Sequence, residues 1–377
     1  MMEQARHELA RMRESDEAWA DLAYTKVTRD GHVYDGNAVR RALVLWALQY
    51  DHGPADLPLL RWLVEQETRC RREAPYQGLG DEAELAGFLL ASYREVADVW
   101  LHWALKRANF DTWCGYDEQY LVAAGVDVTL ELVRAGDHPE RDALLERLGE
   151  LDEPDLEKWF EHKRSWFPAD KADEDPLTWV DRAEKLGDLA GARSLLRLWA
   201  TGRERDEATL SQLRGRYADL GAYAEAADVQ RELVGHVSGA SETASAQRSL
   251  AGYERRAGRH AAAWAALRAC GAALADVAGW REAGLGRFYV EELFSLARDA
   301  AGVADGVADD LGGDTAGDVA RAAFVEADRI APEVPWLPLV VLDAATDAAT
   351  AVGAEDRATH YRTRCDAERD RVAAELD

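Results

Sequence analysis

A glycine followed five residues later by an alanine occurs at Gly187/Ala192, Gly221/Ala226, Gly258/Ala263 and Gly353/Ala358. The first three glycines stand 34 and 37 residues apart. That is the pitch of a repeating helix–turn–helix unit, in which Gly supplies the turn and Ala lets two helices approach closely. Each unit buries its apolar face only against its neighbours, so the pattern predicts a helical array. Array architecture fixes how surface is presented and leaves the bound molecule open.

The rest of the chain reads the same way. RALVLWALQY, LPLLRWLVEQE, ELAGFLLASYREVADVWLHWALKRA and ERDALLERL place apolar residues at three- and four-residue steps, and no alternating run predicts a strand. Breaks rich in Gly, Pro, Asn and Asp fall at TRDGHVYDG (28–36), DHGP (51–54), PYQGLGD (75–81), AGDHPE (135–140), FPADKADEDP (167–176), GVADDLGGDTAG (306–317) and APEVP (331–335). The stretch FPADKADEDP separates two compositions: eight of the thirteen Trp lie before it, and Ala-rich helices with small packing residues follow. We therefore expect an aromatic-rich helical region over 1–170 and a repeat region over 171–377.

The repeat region resembles the tetratricopeptide family. Leu213, Tyr217, Gly221, Tyr223 and Ala226 fit that family's pattern; Leu250, Gly258, Ala263 and Leu267 fit; Gly187, Ala192 and Leu196 fit more loosely. Gly353 and Ala358 are followed by Arg362 where the pattern has a large apolar residue, and GVADDLGGDTAG interrupts the pitch. The resemblance implies an all-α fold of antiparallel helix pairs stacked as an α-solenoid. It also implies that the first helices of successive repeats line a groove for extended peptides or helices of partner proteins. On that alignment Arg248, Arg255 and Arg256 face the groove. Arg248 and Arg255 are seven residues apart and share a stripe, which suits an anionic group on a peptide. The same arginines equally suit the negative end of their own helix or neighbouring Glu.

Charge narrows the partner. With 71 acidic against 45 basic residues, the net charge of −26 disfavours nucleic acid and anionic membrane surfaces. Only six of the basic residues are Lys, an imbalance that points to GC-rich bacterial or haloarchaeal coding. Cys70, Cys114, Cys270 and Cys365 are widely spaced without a CxxC pair, which argues against a disulfide framework or a zinc finger. No secretory leader or run of about 18 apolar residues appears, so a cytoplasmic location is expected.

The most unusual segment is VWLHWALKRANFDTWCGYDEQY, residues 99–120. Trp100, His102, Trp103 and Lys106 fall on a helix, and Asn109, Asp111, Trp113, Cys114, Tyr116 and Asp117 follow on less regular backbone. Aromatics beside polar groups on such backbone describe a ligand pocket, and they describe equally a structural cap in which Asn109 or Asp111 starts the next helix. His102, Asp111, Cys114 and Asp117 lack metal-ligand spacing, and Cys114 as a nucleophile would need a base such as His102. There is no GxSxG, no phosphate loop and no dinucleotide fingerprint, so no cofactor is expected. Two readings remain: a non-enzymatic interaction protein binding a peptide or protein in its repeat groove, or a helical enzyme or small-molecule-binding regulator with a pocket at 99–120.

Overall fold

The computed structural model describes residues 1–74, 78–149, 155–303 and 315–376. Parts of the PYQGLGD and GVADDLGGDTAG breaks, 75–77 and 306–314, lie outside them. Among the described residues the fold is all-α apart from one two-stranded hairpin, and the contacts divide the chain into two units, Met1–Gly187 and Asp188–Asp377.

The first unit runs α1 (Met2–Glu14), β1 (Lys26–Arg29), β2 (His32–Asp35), α2 (Ala38–Tyr50), α3 (Leu57–Glu73), α4 (Asp81–Ala91), α5 (Val99–Lys106), α6 (Phe110–Gly115), α7 (Val126–Ala135), α8 (Arg141–Gly149), α9 (Leu156–Trp166) and α10 (Pro176–Lys185). Every residue of α2 from Arg41 to Gln49 is buried, so this helix is enclosed on all sides. FPADKADEDP belongs to this unit, because Gln49 donates to the Pro168 carbonyl at 3.0 Å and to Glu174 at 2.8 Å.

The hairpin corrects the expectation that no strand would form. Residues 28–36 read as a helix break, but Asp30 and Gly31 both take positive φ, 50° and 78°, the two-residue turn that matches strand twist. Asp35 then ties the hairpin down. Its carboxylate accepts from the Thr25 and Asn37 amides at 3.1 and 2.9 Å and from the fully buried Arg41 at 2.5 Å. Arg41 also donates to Glu67 at 2.8 Å and to the Leu22 carbonyl at 3.1 Å.

The second unit comprises α11 (Leu189–Ala200), α12 (Glu207–Asp219), α13 (Tyr223–Val234), α14 (Ala240–Arg256), α15 (His260–Leu274), α16 (Gly284–Ala301), α17 (Ala316–Ile330), α18 (Leu339–Ala351) and α19 (Glu355–Leu376). Adjacent helices pack as pairs, α12 with α13, α14 with α15, α16 with α17 and α18 with α19. First helices stack on first helices (α14 on α16, α16 on α18) and second on second (α15 on α17), which gives two layers compatible with a helical repeat.

The glycine pattern has its physical cause here. Gly187, Gly221, Gly258 and Gly353 all take positive φ between 63° and 76°. After Gly221 the Ala222 amide reaches back to the Tyr217 carbonyl at 2.8 Å and Gly221 itself to Ala218 at 3.0 Å; Gly258 and Gly353 repeat both bonds. This closure satisfies carbonyls that a helix end leaves unpaired, at a left-handed position that Gly occupies without penalty. The partner alanines Ala192, Ala226, Ala263 and Ala358 are fully buried. At the fourth site, where Arg362 stands in the apolar position, the exposed Arg362 is bypassed and Tyr361 is buried instead, edge-on to Phe294.

Two substitutions separate the roles. No atom lies within 4 Å of a Cβ added to Gly221, so Gly221→Ala carries only the left-handed backbone cost, about 1–2 kcal/mol. Ala226→Leu forces bulk into a filled contact and is expected to destabilise by about 1–3 kcal/mol. Urea unfolding of the two variants checks both values, and an unchanged midpoint for either removes the corresponding role.

Candidate functional site

The segment 99–120 is filled. His102 on α5 is enclosed, stacked against Tyr120 at 5.7 Å and hydrogen-bonded through Nδ1 to Tyr116 Oη at 2.7 Å. Burial lowers its pKa to about 3 and pushes the Tyr116 hydroxyl well above its ordinary value. Lys106 donates to the carbonyls of Trp113 and Tyr116 at 3.0 and 2.7 Å, closing the end of α6, and burial lowers its pKa. Asn109 starts α6: its side chain accepts from the Thr112 amide at 2.8 Å, while its own amide donates to Thr112 Oγ1 at 2.9 Å.

The remaining residues of the segment point elsewhere. Trp103 donates to Glu140 at 2.7 Å, and Trp100 stacks on His138 at 3.8 Å. Asp117 accepts from Trp159 and Lys163 at 2.8 and 2.9 Å. Asp111, Trp113 and Cys114 are exposed, so the Cys114 thiol and the buried His102 ring are not brought together. Beside His102 and Tyr120 the open volume is about 10 Å³, at the threshold for one water molecule and far below that of a ligand. Of the two readings the sequence leaves open for this segment, a ligand pocket and a structural cap, this packing supports the cap, because aromatic rings fill the space around His102. Among the described residues no group of three or more His, Cys, Asp or Glu is placed to hold a metal ion.

The arginines on α14 separate. Arg255 is only partly free of protein, with its side chain 11% exposed, and it is held on α16 by Glu292 at 2.7 Å and Asp299 at 2.5 Å. Burial opposes its charge, yet these two carboxylates hold its pKa above the ordinary value. Arg256 turns the other way, over the Tyr223 ring of α13 at 5.5 Å. Arg248 lies over Phe288 of α16 at 5.2 Å and makes no ion pair among the described residues; its Nε is buried without a hydrogen-bond partner.

One residue earlier on α16, Arg287 lies over Trp336 at 5.1 Å, also without an ion pair among the described residues. Phe288, Trp336 and Val340 are 48%, 45% and 57% exposed. The first helices thus present two arginine–aromatic pairs, spanning α14, α16 and the turn before α18. Arg287, Phe288 and Trp336 were missed in the sequence because their pairing spans about 40–50 residues, although the run GLGRF was visible. Comparison with protein-family models, curated proteins and solved structures finds no match. Among the described residues no helix is long and apolar enough to cross a membrane.

His102 gives a pH test of the cap. Its folded pKa lies below the ordinary 6.5, so the unfolded chain takes up a proton that the folded chain refuses, and this contribution falls away as pH drops below about 6.5. Between pH 6.5 and 5 the loss from this group is about 1.5 kcal/mol. Replacing the ring, as in His102→Asn, is expected to flatten that part of the stability profile in urea titrations; an unaltered slope would show that His102 is not held neutral.

Proposed function

We propose that this chain is a non-enzymatic interaction protein of the cytoplasm, whose second unit is a tetratricopeptide-like array that binds an acidic peptide segment of a protein partner. The observation that carries this reading is the pair of contacts Arg248 over Phe288 and Arg287 over Trp336 on the first-helix layer. Each places a guanidinium that makes no ion pair among the described residues against a large exposed ring, with Glu291 within electrostatic reach of Arg248 and the Trp336 indole donating to Glu368 at 3.1 Å. A guanidinium stacked on a ring keeps donors at its edge for a carboxylate, while the ring and Val340 offer apolar area to a neighbouring side chain. Arg255 is left out of the binding set, because Glu292 and Asp299 already satisfy it.

The net charge of −26 opposes an acidic ligand at long range, but at physiological salt this field is screened beyond about 8 Å. Local contacts then decide affinity. Salt alone does not discriminate, since it weakens both the general repulsion and the local attraction.

Selection of a random displayed peptide library on the full chain tests the reading. Enrichment of acidic peptides carrying a bulky apolar residue is expected, with selected peptides losing about 10- to 100-fold in affinity for the Arg248→Ala, Arg287→Ala double variant, as for loss of charge-assisted contacts worth about 1.5–3 kcal/mol. No enrichment, or undiminished affinity in a double variant that keeps its melting temperature, refutes it.

A further inference from the structure

The second-helix layer carries a separate feature. Between α15 and α17 lies an open groove of about 640 Å³ with aromatic walls from Trp264, Trp280 and Tyr289. Its volume is in the range of ligand-binding clefts. The wall is built with care for approach: a Cβ on Gly271 would stand 2.5 Å from Tyr289 Oη, so only glycine lets α15 and this ring come together. Tyr289 donates to the Leu267 carbonyl at 3.3 Å and packs edge-on to Trp280, centroids 5.9 Å apart. Its hydroxyl is thereby satisfied within the protein.

Three guanidiniums line the same groove. Arg281 lies over Trp280 at 4.2 Å and donates to Glu333 at 2.5 Å; Arg329 binds Glu326 at 2.7 and 2.9 Å. Arg268 lies over Trp264 at 5.9 Å, exposed, and makes no ion pair among the described residues. Three cations facing two carboxylates leave the groove positive in a chain whose net charge is −26. Walls that are part aromatic and part guanidinium, with Trp280 and Tyr289 nearly buried and one unmatched guanidinium at the rim, fit a bulky apolar side chain flanked by a carboxylate.

We propose that the groove between α15 and α17 is a second docking site, taking an acidic peptide segment with a bulky apolar residue seated between Trp264 and Trp280 and its carboxylate on Arg268. The site shares no residue with the Arg248 and Arg287 contacts, so either can fail alone.

The probe is a labelled pentapeptide, Glu-Asp-Phe-Asp-Glu, titrated into the full chain by fluorescence anisotropy, beside a charge-swapped peptide with Lys in place of the acids and one with Ser in place of Phe. Two variants test the groove: Arg268→Glu reverses its unmatched charge, and Ala272→Trp, at an exposed position of the groove wall, fills it without touching the core. Expected are saturable binding of the acidic Phe peptide alone and a loss of tenfold or more in each variant, with the circular dichroism melt unchanged and Arg248→Ala, Arg287→Ala without effect. Absence of binding at millimolar peptide, equal binding of the charge-swapped peptide, or affinity that survives both groove variants overturns the proposal. Loss only in the Arg248→Ala, Arg287→Ala variant also overturns it, and places peptide binding on the first-helix layer instead.

Discussion

The second unit depends on one backbone constraint, the left-handed residue that closes a helix and turns the chain straight into the next. At Gly221, Gly258 and Gly353 two backward hydrogen bonds end one helix, and within five residues a fully buried alanine lies in the next. Turn and close approach are thus set together. With each pair fixed at short range, stacking needs only that apolar faces meet, and the core running from Ala227 to Cys365 is continuous across successive pairs. Both surfaces argued to bind peptide are consequences, since each is made by residues from helices in adjacent pairs.

The first unit is organised by buried charge. Arg41 is fully buried between Asp35 and Glu67, and Glu67 also lies 3.3 Å from Arg71. Burial alone would raise the Glu67 carboxyl, but Arg41 and Arg71 outweigh it and hold its pKa below the ordinary value. Burying an ion pair costs desolvation that attraction roughly offsets, so the net stability gained is small, whereas losing one partner leaves an uncompensated charge. What the network supplies is position: it joins the hairpin, α2 and α3 at a single point.

The contrast between residues 99–120 and the second unit shows why composition is a poor guide to a binding site. The segment holds Trp, His, Cys, Asn and Asp together, yet most of its polar groups meet partners within the protein, His102 with Tyr116, Trp103 with Glu140, Asp117 with Trp159 and Lys163, while the buried Tyr120 hydroxyl has none among the described residues. A polar group already satisfied gains little from a ligand. Arg248, Arg268 and Arg287 stand in plainer surroundings, but each lies on an aromatic ring and makes no ion pair among the described residues. The proposed sites thus rest on the lack of ion partners, not on residue type.

The sequence by itself determined the helical class, the positions of the glycine turns and the acidic balance. Each is a local or additive property: a period of 3.6, a residue without Cβ where φ must be positive, a sum of charges. It also contained the hairpin, in an Asp30-Gly31 pair between short β-prone runs, a signal outweighed by the helical pattern around it. Only the tertiary structure decided which arginines are taken up internally and which face outward. Arg255 meets Glu292 and Asp299, 37 and 44 residues away, while Arg248, seven residues earlier on the same helix, meets a ring. Helical periodicity puts both on one stripe, but what faces that stripe is set by the stacking of α16 on α14, and no spacing within α14 encodes it.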